Sequence, residues 1–552
     1  MYPVTQSEPD TLIEITAVEP DPEKADEPVR VESEQLINTR FVSYLSDESG
    51  FGPGKASILF IPNSELQVAQ FLKEMNQKRI PVTVSGGRTG IVAGAVPEAG
   101  ALLSLENMNE ITAVKWDEWT KEWRLICQPG IRLAELQKKI TTKNFGRENH
   151  DASWKDVSEF LMDRSEYFYA PDPTEDTASL GGTVATDASG ARTYFYGRTR
   201  EHVRAIRCVL PSGDVLDLRR GEHIIASQNT IQLRHLDGTI IEVPLPEYER
   251  PAVKCATGYY SKDNLDLIDL FIGSEGTLGV ITSIEIALKK RPQTAMFLAF
   301  FRSIKDAISF VIKVRSLTRS NERLPVYSME YLDSNSLRLL HMINEDQELG
   351  MKLPHDVAAA ILSEFQSTET TIEFLIEQLG LHNSSADETI SGIDERDKER
   401  LRTLRHSIPE AINRIIAQRK NEIPGLHKLG TDTAVPDERL MDIMNGYDRR
   451  LTESKLEHYV IGHIAENHLH VNILPRSTLE LETGKQLVRI LAQDAVAMGG
   501  VVSAEHGIGK MKLSFMNIMY HESEIEQMKA VKRAIDPNLI LCRGNIFKVQ
   551  DQ

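Results

Sequence analysis

Four histidines and two glutamates fall in two short stretches near the C-terminus. GHIAENHLH carries His463, Glu466, His468 and His470, and SAEHG carries Glu505 and His506. Imidazoles and a carboxylate brought together from separate segments can hold a divalent cation. The same groups can move a proton, and they also occur as ordinary polar residues on a solvated strand. Strand parity constrains the choice. On HLHVNIL, His468, His470 and Asn472 share one face, and Leu469, Val471 and Ile473 share the other. His463 joins the histidine face only if the intervening loop is four residues, 464–467. A three-residue loop sends it to the apolar side. Parity therefore allows a site without requiring one.

These residues need elements to position them. YVIGHI and HLHVNIL have strand character and form a hairpin, and the strands TAMFLAFF and LPVYSMEYL alternate with helices around 304–319 and 370–379. Upstream, SILFIP reads as a strand. Ser64-Glu65-Leu66-Gln67 opens a helix with a capping box and an apolar stripe of Leu66, Ala69, Leu72 and Met75, and IPVTVS is the next strand. This is a β-α-β unit, followed to about residue 290 by β-like runs broken by glycine. Ser523-Glu524-Ile525-Glu526 is a second capping box, for a helix that ends at Asp536-Pro537. Charged runs at 345–352 and 394–402 read as solvated helix faces.

Three glycine-punctuated segments interrupt the β-like region: PVTVSGGRTGIVAGAVP, YAPDPTEDTASLGGTVATDASGARTYFYG and FIGSEGTLGVIT. Glycine lets backbone N–H groups approach an anion closely. The spacing is neither GxGxxG nor a P-loop, so Rossmann and NTPase readings fail. One such loop is more often a turn than a phosphate cradle. Three together fit a long, flat, polar ligand.

Taken in order, these segments, KCATGYY, GHIAENHLH with SAEHG, and the ending DPNLILCRGNIF resemble the FAD-linked 2-hydroxy acid dehydrogenases of the vanillyl-alcohol oxidase superfamily. The branch includes D-lactate and D-2-hydroxyglutarate dehydrogenases and the glycolate oxidase flavoprotein. The resemblance runs from Ala56 to the end. It implies an α+β fold, with a two-part FAD-binding domain and an α+β cap domain built on an antiparallel sheet. The corresponding boundaries are an acidic extension at 1–45, the FAD-binding domain at 46–290, the cap at 291–520 and a returning segment at 521–552.

By that resemblance, non-covalent FAD would lie against Ser85, Gly86, Gly87, Arg88, Thr89 and Gly90, with the Arg88 guanidinium at a phosphate. Pro171, Ser179, Gly181, Gly182, Thr186 and Gly190 would line more of the cofactor, as would Glu275, Gly276, Gly279 and Ile281. No histidine stands in the first glycine loop, where relatives with covalent flavin carry one. His463, His470 and Glu505 would hold Zn or Mn, and His506 would be the catalytic base. Arg405 would bind the substrate carboxylate and Lys428 would be another substrate contact, although Lys428 lies two residues further from Asp432 than is usual. His468 stands where relatives often have Asn. A fourth ligand, a substrate donor and a plain polar neighbour all remain open for it; it is grouped here with the substrate contacts. Further departures are insertions at 146–166 and 221–250, and Cys542-Arg543 in place of Asn-Pro.

The implied reaction is oxidation of a D-2-hydroxy acid, D-lactate first, with electrons passed to a separate acceptor: an electron-transferring flavoprotein, a cytochrome, a quinone or an iron–sulfur subunit. The competing readings are an alkylglycerone-phosphate synthase-like flavoenzyme and a non-catalytic flavoprotein subunit. Across 552 residues the formal charge is −18, which argues against a nucleic-acid surface. Cys127, Cys208, Cys255 and Cys542 are too scattered for a disulfide framework or a ferredoxin-type cluster. No apolar run approaches the ~20 residues of a membrane span, and the N-terminus lacks the pattern of a secretory signal. The expectation is a cytoplasmic protein, compatible with peripheral membrane contact and with a homodimer.

Overall fold

The structure is a computed structural model that describes residues 12–18, 27–145, 156–226, 229–320, 324–347 and 352–548. Its N-terminal half contains a four-stranded sheet in the order Val29–Val31, Ile58–Ile61, Ala101–Ser104, Val82–Ser85. The β-α-β unit is present, but Ala101–Ser104 lies between its two strands and pairs parallel with each. The connecting helix Glu65–Lys78 is capped by Ser64, whose side chain accepts from the Gln67 amide, and it ends on left-handed Arg79. Val68, Ala69, Phe71, Leu72 and Met75 are its buried face, so the stripe is broader than expected and Leu66 is only half-buried.

A five-stranded antiparallel sheet follows: Val215–Arg219, Val203–Val209, Val280–Ala287, Glu122–Cys127, Ile111–Asp117. The region is less purely β than its sequence suggests. Leu133–Thr142 is a helix, and the second glycine segment folds into the short helix Leu180–Thr186, capped by Ser179. Two glycines in succession disguise that helix, because the cap and not propensity starts it.

The acidic N-terminal residues and the 221–250 insertion meet each other. Leu12–Glu14 runs parallel to Thr230–Arg234, which pairs antiparallel with Ile240–Pro244. Ile13 and Ile15 enter the main core of this half. Of the 146–166 insertion, 146–155 lie outside the described residues, as do 348–351 of the charged run at 345–352; Val157–Met162 is a helix that buries Phe160.

The C-terminal half is an eight-stranded sheet, ordered Ile390–Gly392, Thr294–Phe301, Ala359–Gln366, Val326–Asp333, His458–His463, His468–Ile473, Leu429–Gly430, with Thr433–Ala434 also on His468–Ile473. All its pairings are antiparallel. Helices Ile304–Ser320, Leu440–Ser454 and Thr478–Ala497 pack on one face, and Ser334–Gln347 and Glu395–Glu422 on the other. Sandwiched so, the central strands can be apolar on both faces, and any charge within them needs a partner. The chain then returns. Glu522–Ile535 packs into the N-terminal core, and Leu541 bridges to Val82. That helix is capped by His521 with Glu524 at the third position, two residues earlier than the Ser523 box. Among the described residues no helix is long and apolar enough to cross a membrane, and all four cysteines are buried and free. The fold is α+β.

Ile13 is 2% exposed, so Ile13→Ala should cost about 2–4 kcal/mol. Urea unfolding should show that loss; an unchanged midpoint would mean the N-terminal strand contributes nothing.

Candidate active site

The histidine hairpin is closed by a four-residue loop, 464–467, and His463 lies directly opposite His468. All three hairpin histidines therefore share a face, as parity allows for this loop length. Asn467 takes the left-handed turn position at φ 54°. It is locked by Arg315, whose Nη1 donates to Asn467 Oδ1 at 2.6 Å, and by its own amide donating to the Val435 carbonyl. Gly462, at φ 141°, leaves space for the histidines: a Cβ there would lie 2.9 Å from the His468 carbonyl and 3.1 Å from the His470 ring.

Glu505 comes from the loop that follows a single bridge, Val501 to Ala434. Its carboxylate is ringed by imidazoles: His463 Nε2 at 3.6 Å, His468 Nδ1 at 3.7 Å, His470 Nε2 at 3.3 Å and His506 Nε2 at 3.5 Å. Each ring is held from behind. His463 Nδ1 bonds Glu330, His468 Nε2 bonds Asp432 at 2.9 Å, His470 Nδ1 bonds the Thr431 carbonyl at 3.3 Å, and His506 Nδ1 faces Asp432 at 3.2 Å. Imidazoles fixed by carboxylates and carbonyls with their other nitrogens converging are a pattern suited to a cation.

Asp432 is 2% exposed and fully engaged. It accepts from His468 Nε2, the Glu505 and His506 amides, Lys512 Nζ at 2.7 Å and the Ser503 hydroxyl at 2.6 Å. Burial alone would raise its pKa, but His506, Lys512 and these hydrogen bonds hold it well below the usual carboxylate range. Glu505 shows the same balance, with burial outweighed by Lys254, His468 and His463. Lys254 Nζ, itself buried, lies 2.9 Å from Glu505 and 3.4 Å from Glu466. Burial lowers His468 to about 3 and so keeps it neutral. His463 is also pushed down by burial, but Glu330 and Glu505 prevail and raise it to about 9.

A cavity of about 1230 Å³ runs past this cluster, beyond the roughly 300–1,000 Å³ of ordinary small-molecule pockets. Gly86, Gly87, Arg88, Thr89, Gly90, Ser179, Gly181, Gly182, Thr186, Glu275, Gly276, Gly279 and Ile281 line it from the N-terminal half. Arg405, Lys428, His470, Glu505 and His506 line it from the C-terminal half. The Ser179 hydroxyl accepts from the Gly87 and Gly182 amides, and a Cβ on Gly86 would strike that hydroxyl at 2.3 Å. Among the described residues, the amides of Arg88, Thr89 and Gly90 have no protein acceptor. The wall therefore fits an anionic group such as a pyrophosphate.

Several expected residues sit elsewhere. Ser85, Pro171 and Gly190 are buried and do not line the cavity; a Cβ on Gly190 would overlap the Asp172 carbonyl at 1.9 Å. Packing between segments accounts for that glycine. The Arg88 guanidinium lines the cavity while its Nη2 lies 3.3 Å from Glu106 and the group stacks over the Tyr44 ring. Both Glu275 oxygens accept at 2.7 Å from the Ile508 and Gly509 amides, tying the FAD-side wall to the loop after His506. His468 is fully buried beneath the cavity floor, which removes it as a substrate contact. Arg405 lines the cavity while its Nε and Nη2 bind Glu330. Lys428 Nζ donates to Asn413 at 3.0 Å.

Glu330, Asp432 and Lys512 belong to the site although no motif assigns them a role, and Lys254, which heads KCATGYY, gains its role only from the structure. Glu330 was legible in principle as the lone charge inside the apolar run VYSMEYL. Asp432 and Lys512 carry no local signal, since their meaning arises only when three segments meet.

His463 is raised, so its contribution to stability is full below about pH 6.5 and is lost as pH climbs through 9. In EDTA-treated protein, the Glu330–His463 pair should add on the order of 3 kcal/mol at pH 6 relative to pH 9.5. Denaturant unfolding of Glu330→Gln should show that part of the pH slope removed; an unchanged slope would contradict the pairing.

Comparison with known proteins agrees with this geometry. A model described as the FAD binding domain matches residues 56–148 and 152–219. A model described as the C-terminal domain of FAD linked oxidases matches 290–546. D-lactate dehydrogenase of Anaerostipes hadrus is 27% identical, covering 90% of each chain. The mitochondrial D-lactate dehydrogenase [cytochrome] of Arabidopsis thaliana is 27% identical over 89% of this chain and 73% of its own. D-2-hydroxyglutarate dehydrogenase of Stutzerimonas stutzeri is 24% identical, covering 90% and 92%. Among solved structures, an alkyldihydroxyacetonephosphate synthase shares the fold at TM-score 0.60 and 15% identity, over 90% of this chain and 80% of its own. Glycine-rich segments facing an antiparallel cap, with the two domain models together spanning most of the chain, make this chain a member of the FAD-linked 2-hydroxy acid dehydrogenase family of the vanillyl-alcohol oxidase superfamily.

Proposed function

We propose that the protein oxidises a D-2-hydroxy acid, with D-lactate the first substrate to test, to the 2-oxo acid, with His506 as base. The observation that carries this reading is the Asp432–His506 pair. Asp432 faces Nδ1 of a ring that stands on the cavity wall and is a quarter exposed. A carboxylate there fixes the tautomer and leaves Nε2 as a proton acceptor. Arg405 and Lys428 give the same cavity a cationic side for the substrate carboxylate. Glu330 engages only Nε and Nη2 of Arg405, leaving Nη1 with no protein partner among the described residues.

Bound FAD supplies the two-electron acceptor, held by the glycine loops. The donor set of His463, His470 and Glu505 fits a divalent cation, Zn or Mn, which would supply a Lewis acid for the substrate's carboxylate and hydroxyl oxygens. Glu505 then serves as ligand while His506 takes the hydroxyl proton, and Asp432 stabilises the imidazolium that forms. Four isolated, buried thiols do not suit a cluster, so electrons pass to a separate carrier; a cytochrome is named for one relative. A cytoplasmic location, with or without membrane contact, is part of this reading.

Mixed anaerobically with D-lactate, glycolate, D-2-hydroxyglutarate and D-malate, the FAD-loaded protein should bleach with at least one. His506→Gln should slow that bleaching about 10²–10⁴-fold with FAD retained. EDTA should abolish it, and Zn²⁺ or Mn²⁺ should restore it. No bleaching by any substrate in metal-replete protein would refute the dehydrogenase reading.

A further inference from the structure

We infer that His468 is a fourth protein ligand, making a His463–His468–His470–Glu505 site that favours zinc over manganese. This rests on the metal reading above and extends it to a residue that reading does not use. The donor atoms of all four residues lie within 4.8 Å of one another. Bonds of about 2.0–2.2 Å to a tetrahedral ion require donor separations of about 3.3–3.6 Å. Glu505 Oε2 lies 3.6 Å from His463 Nε2 and 3.7 Å from His468 Nδ1, and Oε1 lies 3.3 Å from His470 Nε2, close to that range.

Orientation supports the same set. His468 spends Nε2 on Asp432, and its Nδ1 is buried with no hydrogen-bond partner. An unpartnered nitrogen in a fully buried ring costs free energy unless something binds it. The other two histidines repeat the arrangement, with one nitrogen anchored and the other aimed at Glu505. The rings stand 4.5–5.8 Å apart at steep mutual angles, so they surround a common point and do not stack.

A rival set of Asp432, His470, Glu505 and His506 is equally compact. It fails on chemistry, because both Asp432 oxygens already accept from His468, two backbone amides, Lys512 and Ser503. Nor does Lys254 exclude the ion. It takes one position on Glu505 Oε2 at 2.9 Å, and a carboxylate offers about four lone-pair sites. Glu466 at 3.4 Å offsets the ammonium's charge.

Three imidazoles and one oxygen suit zinc, whereas manganese prefers an oxygen-rich octahedron. A ligand entering from the cavity therefore meets a metal with four protein donors and makes it five-coordinate.

The test uses the full-length, FAD-loaded protein, stripped with EDTA and titrated with Zn²⁺ against a chelator. His468→Asn should weaken zinc at least ~100-fold and bring its affinity closer to that for Mn²⁺. Co²⁺ as a probe should show the intense visible bands of a four-coordinate site in the parent and lose them in the variant. His506→Gln, outside the four, should bind zinc within about threefold of the parent. If His468→Asn fails to fold or to hold FAD, zinc-edge X-ray absorption of the parent decides: three imidazoles support the inference and two overturn it. Equal zinc affinity and equal Co²⁺ spectra in parent and variant overturn it while leaving the three-ligand reading intact. If the parent binds neither ion, both fall, and FAD binding is untouched.

Discussion

Asp432 is the buried charge on which the site depends. A carboxylate taken out of water must have its lone pairs occupied or be expelled, and here they are occupied by groups from three segments. His468 arrives from the hairpin, the Ser503 hydroxyl and the Glu505 and His506 amides from the following loop, and Lys512 from the start of the next helix. Satisfying that one group sets the order of the loop that carries Glu505 and His506. It also fixes two of the histidine rings. The acid–base geometry and the donor cluster are therefore consequences of one desolvated anion.

The two halves of the molecule are joined at the same place. Lys254, from the N-terminal half, pairs with Glu466 and Glu505 of the C-terminal half. Glu275 reaches from the third glycine segment to the Ile508 and Gly509 amides. Arg192 binds Glu364 across the boundary, with Asp172 beside it. These charge-assisted links register the glycine-lined wall against the histidine cluster. A flavin on one side and a substrate on the other can meet only if that register holds, so the chemistry of each half is useless without the links between them.

Much of the fold was legible because its signals are local. The Ser64 cap, the apolar strands and the four-residue arithmetic of GHIAENHLH need only neighbouring residues. What was not legible depends on distant pairing. The insertion 221–250 and the acidic N-terminus look separately like departures, yet Thr230–Arg234 and Leu12–Glu14 form one sheet. Leu180–Thr186 looks like a loop because its glycines hide a capped turn. Arg88 is readable as a loop residue, but its pairing with Glu106 and Tyr44 is not. His468 is the instructive case: its type and face were readable, but whether it points into the cavity or beneath it depends on Asp432, 36 residues away.

The proposed function places a cation beside the flavin, anchored by Glu505, which is ringed by imidazoles and held by Lys254. Metal analysis of FAD-loaded protein, parent and Glu505→Gln, after dialysis against a weak chelator tests this most directly. About one divalent ion per chain is expected in the parent and almost none in the variant, with equal FAD in both. Equal metal content in the two proteins, or none in either, would contradict it.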